Sequence, residues 1–243
     1  MTEDRRMAIY RITYSREFKR VSLYNWGCNF HCRGCSYGLM ETRGQHNRFI
    51  GMKEIKEILL KLNPEKVHFL GGEPTTNPDL PELARFCHDE LHAYTKIGHS
   101  NGSIMPPANI DAVSVSIKAH TNRIHIEYTG VSNNEVLKNF ERMYERGIRM
   151  EASSVLIPQY IDCDEIEKIA KFIANIDPTI PYHIVGYVPV PNAPWRSARQ
   201  EEVEYAARIA SKYLSNVTFS CLTPEKLRDL RAVDSRFKSA VVA

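Results

Sequence analysis

No stretch of the chain approaches the roughly 18 consecutive apolar residues that cross a bilayer, so no membrane span is expected. The first twenty residues are broken up by Asp4, Arg5, Arg6, Arg11, Arg16, Glu17, Lys19 and Arg20, which leaves no apolar signal-peptide core and points to the cytoplasm. Charge of one sign is also scarce. The 32 Lys and Arg against 29 Asp and Glu leave +3, and no basic stripe is visible, so neither nucleic acid nor an anionic membrane surface is indicated as a partner. No linker, low-complexity tract or repeat divides the chain, and 243 residues suit one α/β domain with a substantial core.

Cysteine is sparse, yet three of the six crowd into one short stretch, Cys28, Cys32 and Cys35, in the pattern C-x3-C-x2-C. No fourth cysteine follows at comparable spacing. One reading is a 4Fe-4S cluster, which normally takes four thiolates and would here keep one iron open to a substrate or cofactor. The other is a structural zinc site with His31 or His46 as the fourth ligand. Cys87, Cys163 and Cys221 lack cluster spacing. Cys87 is expected to be buried in a helix, and Cys163 to lie in the loop after the fifth strand.

Strands and helices alternate along the chain. Arg20 to Asn25 reads as a strand running into the cysteine loop, behind a polar lead-in with a short strand near Ile9 to Tyr14. Ile55, Ile58, Leu59 and Leu62 at helical spacing give a helix over Met52 to Leu62, stopped by Asn63 and Pro64. Val67 to Leu70 is a strand ending in Gly71-Gly72-Glu73-Pro74, and Asn77 before Pro78 opens a helix expected to reach about His92. Strands follow at Tyr94 to Gly98, Ala112 to Lys118, Arg149 to Ile157 and Pro181 to Tyr187, with helices at Asn133 to Arg146, Asp164 to Asn175 and Arg199 to Leu214. Such alternation specifies parallel βαβ units, and six main strands predict a partial (β/α)6 TIM-like barrel.

The inner face of that barrel can be read from the period of two. Ser114, Ser116 and Lys118 share one side of their strand, and Val113, Val115 and Ile117 the other. Glu151 and Ser153 alternate with Ala152 and Ser154, and His183 lies between Tyr182 and Ile184. A closed barrel is filled by bulky branched side chains. Small and charged groups suit an open one that holds a polar ligand.

Together, the cysteine loop, the Gly71 to Pro74 turn and the βα alternation resemble the radical S-adenosylmethionine (SAM) superfamily, and within it the pyruvate formate-lyase activating enzyme group. The likeness continues in Ser100-Asn101-Gly102, Ser116-Ile117-Lys118, Gly130-Val131-Ser132-Asn133, Leu156-Ile157-Pro158 and Pro181 to Gly186. It covers about residues 18–221 and leaves 222–243 as a C-terminal extension. The resemblance implies that Cys28, Cys32 and Cys35 hold a 4Fe-4S cluster whose fourth iron is chelated by the SAM amino and carboxylate groups. One electron then cleaves SAM, and a 5'-deoxyadenosyl radical takes hydrogen from a substrate. SAM contacts are implied for Gly34, Cys35 and Ser36 in the loop, for Gly71, Gly72 and Glu73 near the methionine amino group, and for Asn101. Lys118 is implied at the SAM carboxylate with Ser116 and Ile117 beside it, and His183 at the adenosine end.

This sequence departs from the group at several positions. The aromatic residue usual before the third cysteine, near adenine, is Gly34 here, so only backbone of Gly34 and Cys35 would meet adenine. His99 and Ser116 replace two carboxylates of the group's monovalent-cation site, and Ser153 replaces an arginine; no such cation site is expected. The proline-rich loop Val188 to Arg196 lies at the catalytic end, where Trp195 and Arg196 either contact substrate or Trp195 staples the loop to the last helix. By resemblance the substrate is a glycyl radical enzyme. The lost carboxylates favour the alternative of a small molecule or another peptide, and a non-enzymatic zinc module is the third possibility. No ferredoxin-like module accompanies the loop, so electrons are expected from flavodoxin or ferredoxin.

Overall fold

The computed structural model describes residues 9–39, 49–223, 225–226 and 238–243. The strands are β1 (Ile9–Ser15), β2 (Arg20–Asn25), β3 (Lys66–Leu70), β4 (Tyr94–Ser100), β5 (Ala112–Ser116), β6 (Arg149–Leu156), β7 (Tyr182–Gly186), β8 (Val217–Ser220) and β9 (Ser239–Val241). The helices are α1 (Met52–Leu62), α2 (Leu80–Arg85), α3 (Asn122–Thr129), α4 (Asn134–Glu145), α5 (Cys163–Ile176) and α6 (Gln200–Ala210). One sheet contains every strand, in the order β8-β7-β6-β5-β4-β3-β2-β1-β9. From β2 to β8 all neighbours are parallel, whereas β1 is antiparallel to both β2 and β9. The edges β8 and β9 do not meet, so the (β/α)6 barrel stays partial and open.

The sheet is therefore wider than the six strands expected. The lead-in strand β1 is a full member, and β9, from the expected C-terminal extension, joins the sheet beyond it. The helix expected from Asn77 to about His92 is instead a short α2 followed by a π-turn at Phe86–Glu90, with a 3-10 turn at Pro74–Thr76 ahead of Asn77. α3 was not expected at all. Among the described residues, no helix is long and apolar enough to cross a membrane.

The period of two decides what each face of the sheet carries. Val21, Leu23, Val67, Phe69, Ile97, Val113, Val115, Ile117 and Ile184 turn outward into a buried core. Ile55 and Leu59 of α1, Phe140 and Met143 of α4, Ile166, Ile169 and Ile173 of α5, and Val203 of α6 complete it. The lumen face is polar. Register sets Ser22 beside His68, His68 beside Lys96, Ser114 beside Glu151, and Ser153 beside His183. Stability thus rests on the convex side. Phe140 is fully buried, and its ring centroid is 5.7 Å from that of Phe172. Phe140→Ala should cost about 3–5 kcal/mol in chemical denaturation.

Candidate functional site

The cysteine loop leaves the C-terminal end of β2 and is hung on α3. The His31 N–H donates to the Thr129 carbonyl and the Arg33 N–H to the Tyr128 carbonyl, each at 2.9 Å. Those carbonyls belong to the last turn of α3, where a helix leaves acceptors unsatisfied. Phe30 is buried edge-on against the His125 ring, centroids 5.6 Å apart, and the Cys35 N–H closes a turn on the Cys32 carbonyl at 3.1 Å. Sequence reasoning missed α3 because its eight residues include two isoleucines and a threonine, which are poor helix formers. Gly130 was the available signal. Its left-handed φ of 82° and its N–H to Ile126 make the usual helix stop.

Gly71 and Gly72 press the end of β3 onto this loop. Both have left-handed φ, and a Cβ on Gly72 would fall 1.9 Å from the Gly27 carbonyl oxygen, while one on Gly71 would fall 2.5 Å from that of Asn25. The approach these glycines permit is therefore to the chain itself. Glu73 is fully buried. Its Oε1 accepts from Thr75 N at 3.1 Å, Thr75 Oγ1 at 2.6 Å and Ser100 Oγ at 2.9 Å, and its Oε2 accepts from the Asn101 N–H. Its carboxylate meets the chain rather than open space, so Glu73 braces the loops after β2, β3 and β4.

Asn101 reaches the cysteine loop from the end of β4. Its Nδ2 donates to Asn29 Oδ1 at 2.8 Å and to Cys28 Sγ at 3.7 Å, and the Phe30 N–H reaches the same sulfur at 3.4 Å. Lys118 follows β5, with its Nζ 2.8 Å from Ser116 Oγ. Burial pushes the Cys28 thiol pKa up and that of Cys32 up to about 11, although the Lys118 ammonium works the other way on both. Ile117 does not line the same wall. Its side chain lies in the outer core, with its N–H on the Ser153 carbonyl and its carbonyl accepting from Ser154 Oγ, because the strand period turns it away from Ser116. His183 sits across the lumen with Nδ1 2.7 Å from Thr218 Oγ1 and Nε2 3.0 Å from Ser220 Oγ; burial lowers its pKa. Ser36 opens a short 3-10 turn directly after Cys35.

Gly34 is buried, and the space beside it is taken. A Cβ there would lie 2.7 Å from Tyr128 Oη and 2.9 Å from Tyr187 Cε2. Trp195 stacks on Tyr160 with centroids 4.7 Å apart, meets Tyr187 edge-on, and has the Arg33 guanidinium 5.0 Å from its own centroid. Trp195 therefore staples its loop to the cysteine loop and not to the last helix, while Arg196 pairs with Glu202 at the start of α6. Glu165 escaped the sequence reading, and Asn133 enters it only as the end of the Gly130 to Asn133 motif and the start of a helix. Glu165 of α5, itself buried, accepts from His120 N, Thr121 N, Thr121 Oγ1 and Lys168 Nζ, and Asn133 Nδ2 donates to the Ala119 and His120 carbonyls. Both fix the turn after Lys118. Cys163 is the first residue of α5, not a loop residue, and burial pushes its thiol up to about 11.

The donor set fits a 4Fe-4S cluster. Three free thiols stand on one loop, and N–H groups already point at the Cys28 sulfur, as they do at cluster thiolates. Among the described residues no three His, Cys, Asp or Glu side chains gather about one point as a single ion needs. His31 is exposed, and His46 lies outside the described residues.

The fold and this loop define an iron-sulfur, SAM-dependent class, and a model of the radical SAM superfamily matches residues 26–173. The chain belongs to that superfamily. A protein of Methanocaldococcus jannaschii, provisionally described as a glycyl-radical enzyme activating enzyme, is 33% identical over 214 residues, 83% of this chain and 80% of that one. The indoleacetate decarboxylase activating enzyme of Tractidigestivibacter scatoligenes is 32% identical over 150 residues, 56% of this chain and 47% of that one. A solved domain of pyruvate-formate lyase-activating enzyme from Bacteroides vulgatus superposes with a TM-score of 0.53 at 21% identity, over 64% of this chain and 98% of that one, a likeness of fold. The chain is a radical SAM enzyme similar to these activating enzymes, and the non-enzymatic zinc module is set aside.

Restoring the usual aromatic with Gly34→Tyr should drive a ring into Tyr128 and Tyr187. The expected cost is about 3 kcal/mol, with lower iron retention after reconstitution, and Tyr128→Ala in the same chain should recover part of both. Denaturation and iron analysis check this. Burial raises the Glu165 pKa, but hydrogen bonds from Lys168 and Thr121 outweigh it and hold the carboxyl below its ordinary range. A depressed folded pKa stabilises above the unfolded value of about 4.3 and loses that stabilisation as pH falls through the folded value. Glu165→Gln should therefore cost about 1–3 kcal/mol at neutral pH, with the difference from wild type closing on acidification.

Proposed function

We propose that this chain is the activating enzyme of a glycyl radical enzyme, from which it abstracts hydrogen to leave a stable glycyl radical. The observation that carries the reading is the cysteine loop, with Asn101 and Lys118 brought to it from β4 and β5 in a chain that belongs to the radical SAM superfamily. Similarity to activating enzymes over most of the chain supports the choice of substrate. Cys28, Cys32 and Cys35 would hold the cluster. When bound, the cluster and SAM supply the one-electron cleavage that generates a 5'-deoxyadenosyl radical.

The protein's own part is placement. Asn101 and the Phe30 N–H hydrogen-bond the Cys28 sulfur and so favour its thiolate. Lys118 offers a point charge to the SAM carboxylate, held toward the lumen by Ser116. Glu73, Gly71 and Gly72 keep that end of the barrel rigid, and the neutral His183 presents an aromatic edge opposite. Electrons come from a separate protein such as flavodoxin or ferredoxin. Replacement of two carboxylates of the related cation site by His99 and Ser116 supports a second reading, in which the radical acts on a small molecule or another peptide.

The test is anaerobic reconstitution with iron and sulfide, reduction, and addition of SAM with and without a glycyl radical enzyme. Production of 5'-deoxyadenosine with an organic radical on the partner is the expected outcome. Cleavage without partner radical selects the second reading, and intact SAM overturns both. Cys32→Ala should lose cluster absorbance and cleavage together. Lys118→Ala should keep the cluster and weaken SAM binding about tenfold, a loss of about 1.4 kcal/mol.

A further inference from the structure

The aromatic group beside the cysteine loop holds one hydroxyl that the fold itself does not use. Tyr128, in the last turn of α3, is only 3% exposed, and its backbone carbonyl accepts the Arg33 N–H at 2.9 Å. Its phenol meets the same loop. A Cβ on Gly34 would fall 2.7 Å from Tyr128 Oη and 3.2 Å from its Cε2, so the oxygen lies against the backbone between Cys32 and Cys35. Packing fixes the ring there, with the Trp195 centroid 5.8 Å and the Tyr160 centroid 6.2 Å from its own.

A buried tyrosine O–H normally finds an acceptor, because leaving it unmade incurs the whole desolvation penalty of the group. The neighbouring phenols are engaged. Tyr187 Oη accepts from the Val190 N–H at 3.3 Å, and Tyr160 Oη donates to the Ile124 carbonyl at 3.5 Å. Tyr128 Oη makes no hydrogen bond with any described residue. Like any phenol it carries a proton at neutral pH, and burial, followed by the nearby Cys32 and Cys35 thiols, pushes its pKa further up. Phenylalanine at residue 128 would keep every ring contact, so packing alone does not call for the oxygen.

We propose that Tyr128 donates its phenolic hydrogen bond to a sulfur of the cluster and thereby sets the cluster's reduction potential. The proposal rests on the assignment of the cluster to this loop and is independent of the substrate. Hydrogen bonds to cluster sulfurs stabilise the more negative, reduced state and so raise the potential. No proton moves in the step: the cluster takes one electron from the reductant, and the phenol keeps its O–H. Gly34 belongs to the same device, since only a residue without a Cβ lets the oxygen come so close to the loop.

The test is an anaerobic, mediated redox titration of the full-length reconstituted protein without SAM, followed by EPR, in wild type, Tyr128→Phe and Tyr187→Phe. Iron, sulfide and unfolding temperature are measured first. Tyr128→Phe is expected to hold wild-type iron and to favour the oxidised cluster about tenfold, a fall of about 59 mV for one electron. Tyr187→Phe, which keeps its ring and loses a hydroxyl already taken by Val190, should match wild type. Electron-nuclear double resonance in deuterated buffer should find an exchangeable proton coupled to the wild-type cluster and missing from Tyr128→Phe, a difference that a merely structural role would not produce. An unchanged potential in Tyr128→Phe overturns the proposal. So does an equal fall in Tyr187→Phe, which would trace the effect to packing. Weaker SAM binding by Tyr128→Phe at an unchanged potential also overturns it, by giving the hydroxyl to SAM. A wild-type chain that takes up no iron and sulfide overturns the cluster assignment as well, whereas a cluster of unaltered potential in Tyr128→Phe overturns this proposal alone.

Discussion

A single buried carboxylate holds the cysteine end of this barrel together. Glu73 sits between three loops that leave three adjacent parallel strands, and it accepts hydrogen bonds from two of them while its backbone N–H donates to Gly27 in the third. A buried carboxyl group is tolerable only when its oxygens are hydrogen-bonded, so the loops that supply those donors and the side chain that gathers them hold each other in place. Gly72 sets how close the loops can come. With its absent Cβ position only 1.9 Å from the Gly27 oxygen, any side chain would push the loop after β3 away from the cysteines and strand that carboxylate.

From that brace the site is assembled outward by elements with no ligand of their own. α3 supplies two carbonyls to the cysteine loop, and Glu165 and Asn133 hold the turn behind Lys118. The aromatic group of Tyr128, Tyr160, Tyr187 and Trp195 closes the loop's other flank. The glycine before the third cysteine follows from this packing. A ring on residue 34 and rings from Tyr128 and Tyr187 compete for one volume, and this chain has filled it from α3 and from the end of β7.

Much of this was legible from residue types and spacing, for physical reasons that also mark where legibility ends. The cysteine spacing and the glycine turn are local signals, and β-strand alternation shows which of Ser116 and Ile117 faces the lumen, a rule that the family resemblance alone overrode. The breakdown of the helix after Asn77 into a short α-helix and a π-turn was not legible, since apolar spacing does not distinguish an α-turn from a π-turn. Nor was β9, whose pairing with β1 joins opposite ends of the chain. The hollow at the N-terminal ends of the strands is the clearest case. A net charge of +3 with no basic run gives no hint that Arg20, Lys66, Lys96 and Arg149, from four different strands, converge. Only the register of parallel strands brings them together.

The two faces of the sheet divide the work, which bears on why the substrate is the least readable part. Apolar burial lies on the convex side, where helices cover Val67, Phe69, Ile97 and Val115, so the fold does not depend on what the lumen contains. Lumen side chains need only be satisfied locally, as Lys96 is by Glu151 and His183 by Thr218 and Ser220. Such pairs can be exchanged for others of similar polarity with little effect on a core they do not touch. His99 and Ser116, where the resemblance implies carboxylates, fit this freedom. Both stand where a change alters what the lumen can hold and leaves the strands that carry them in place.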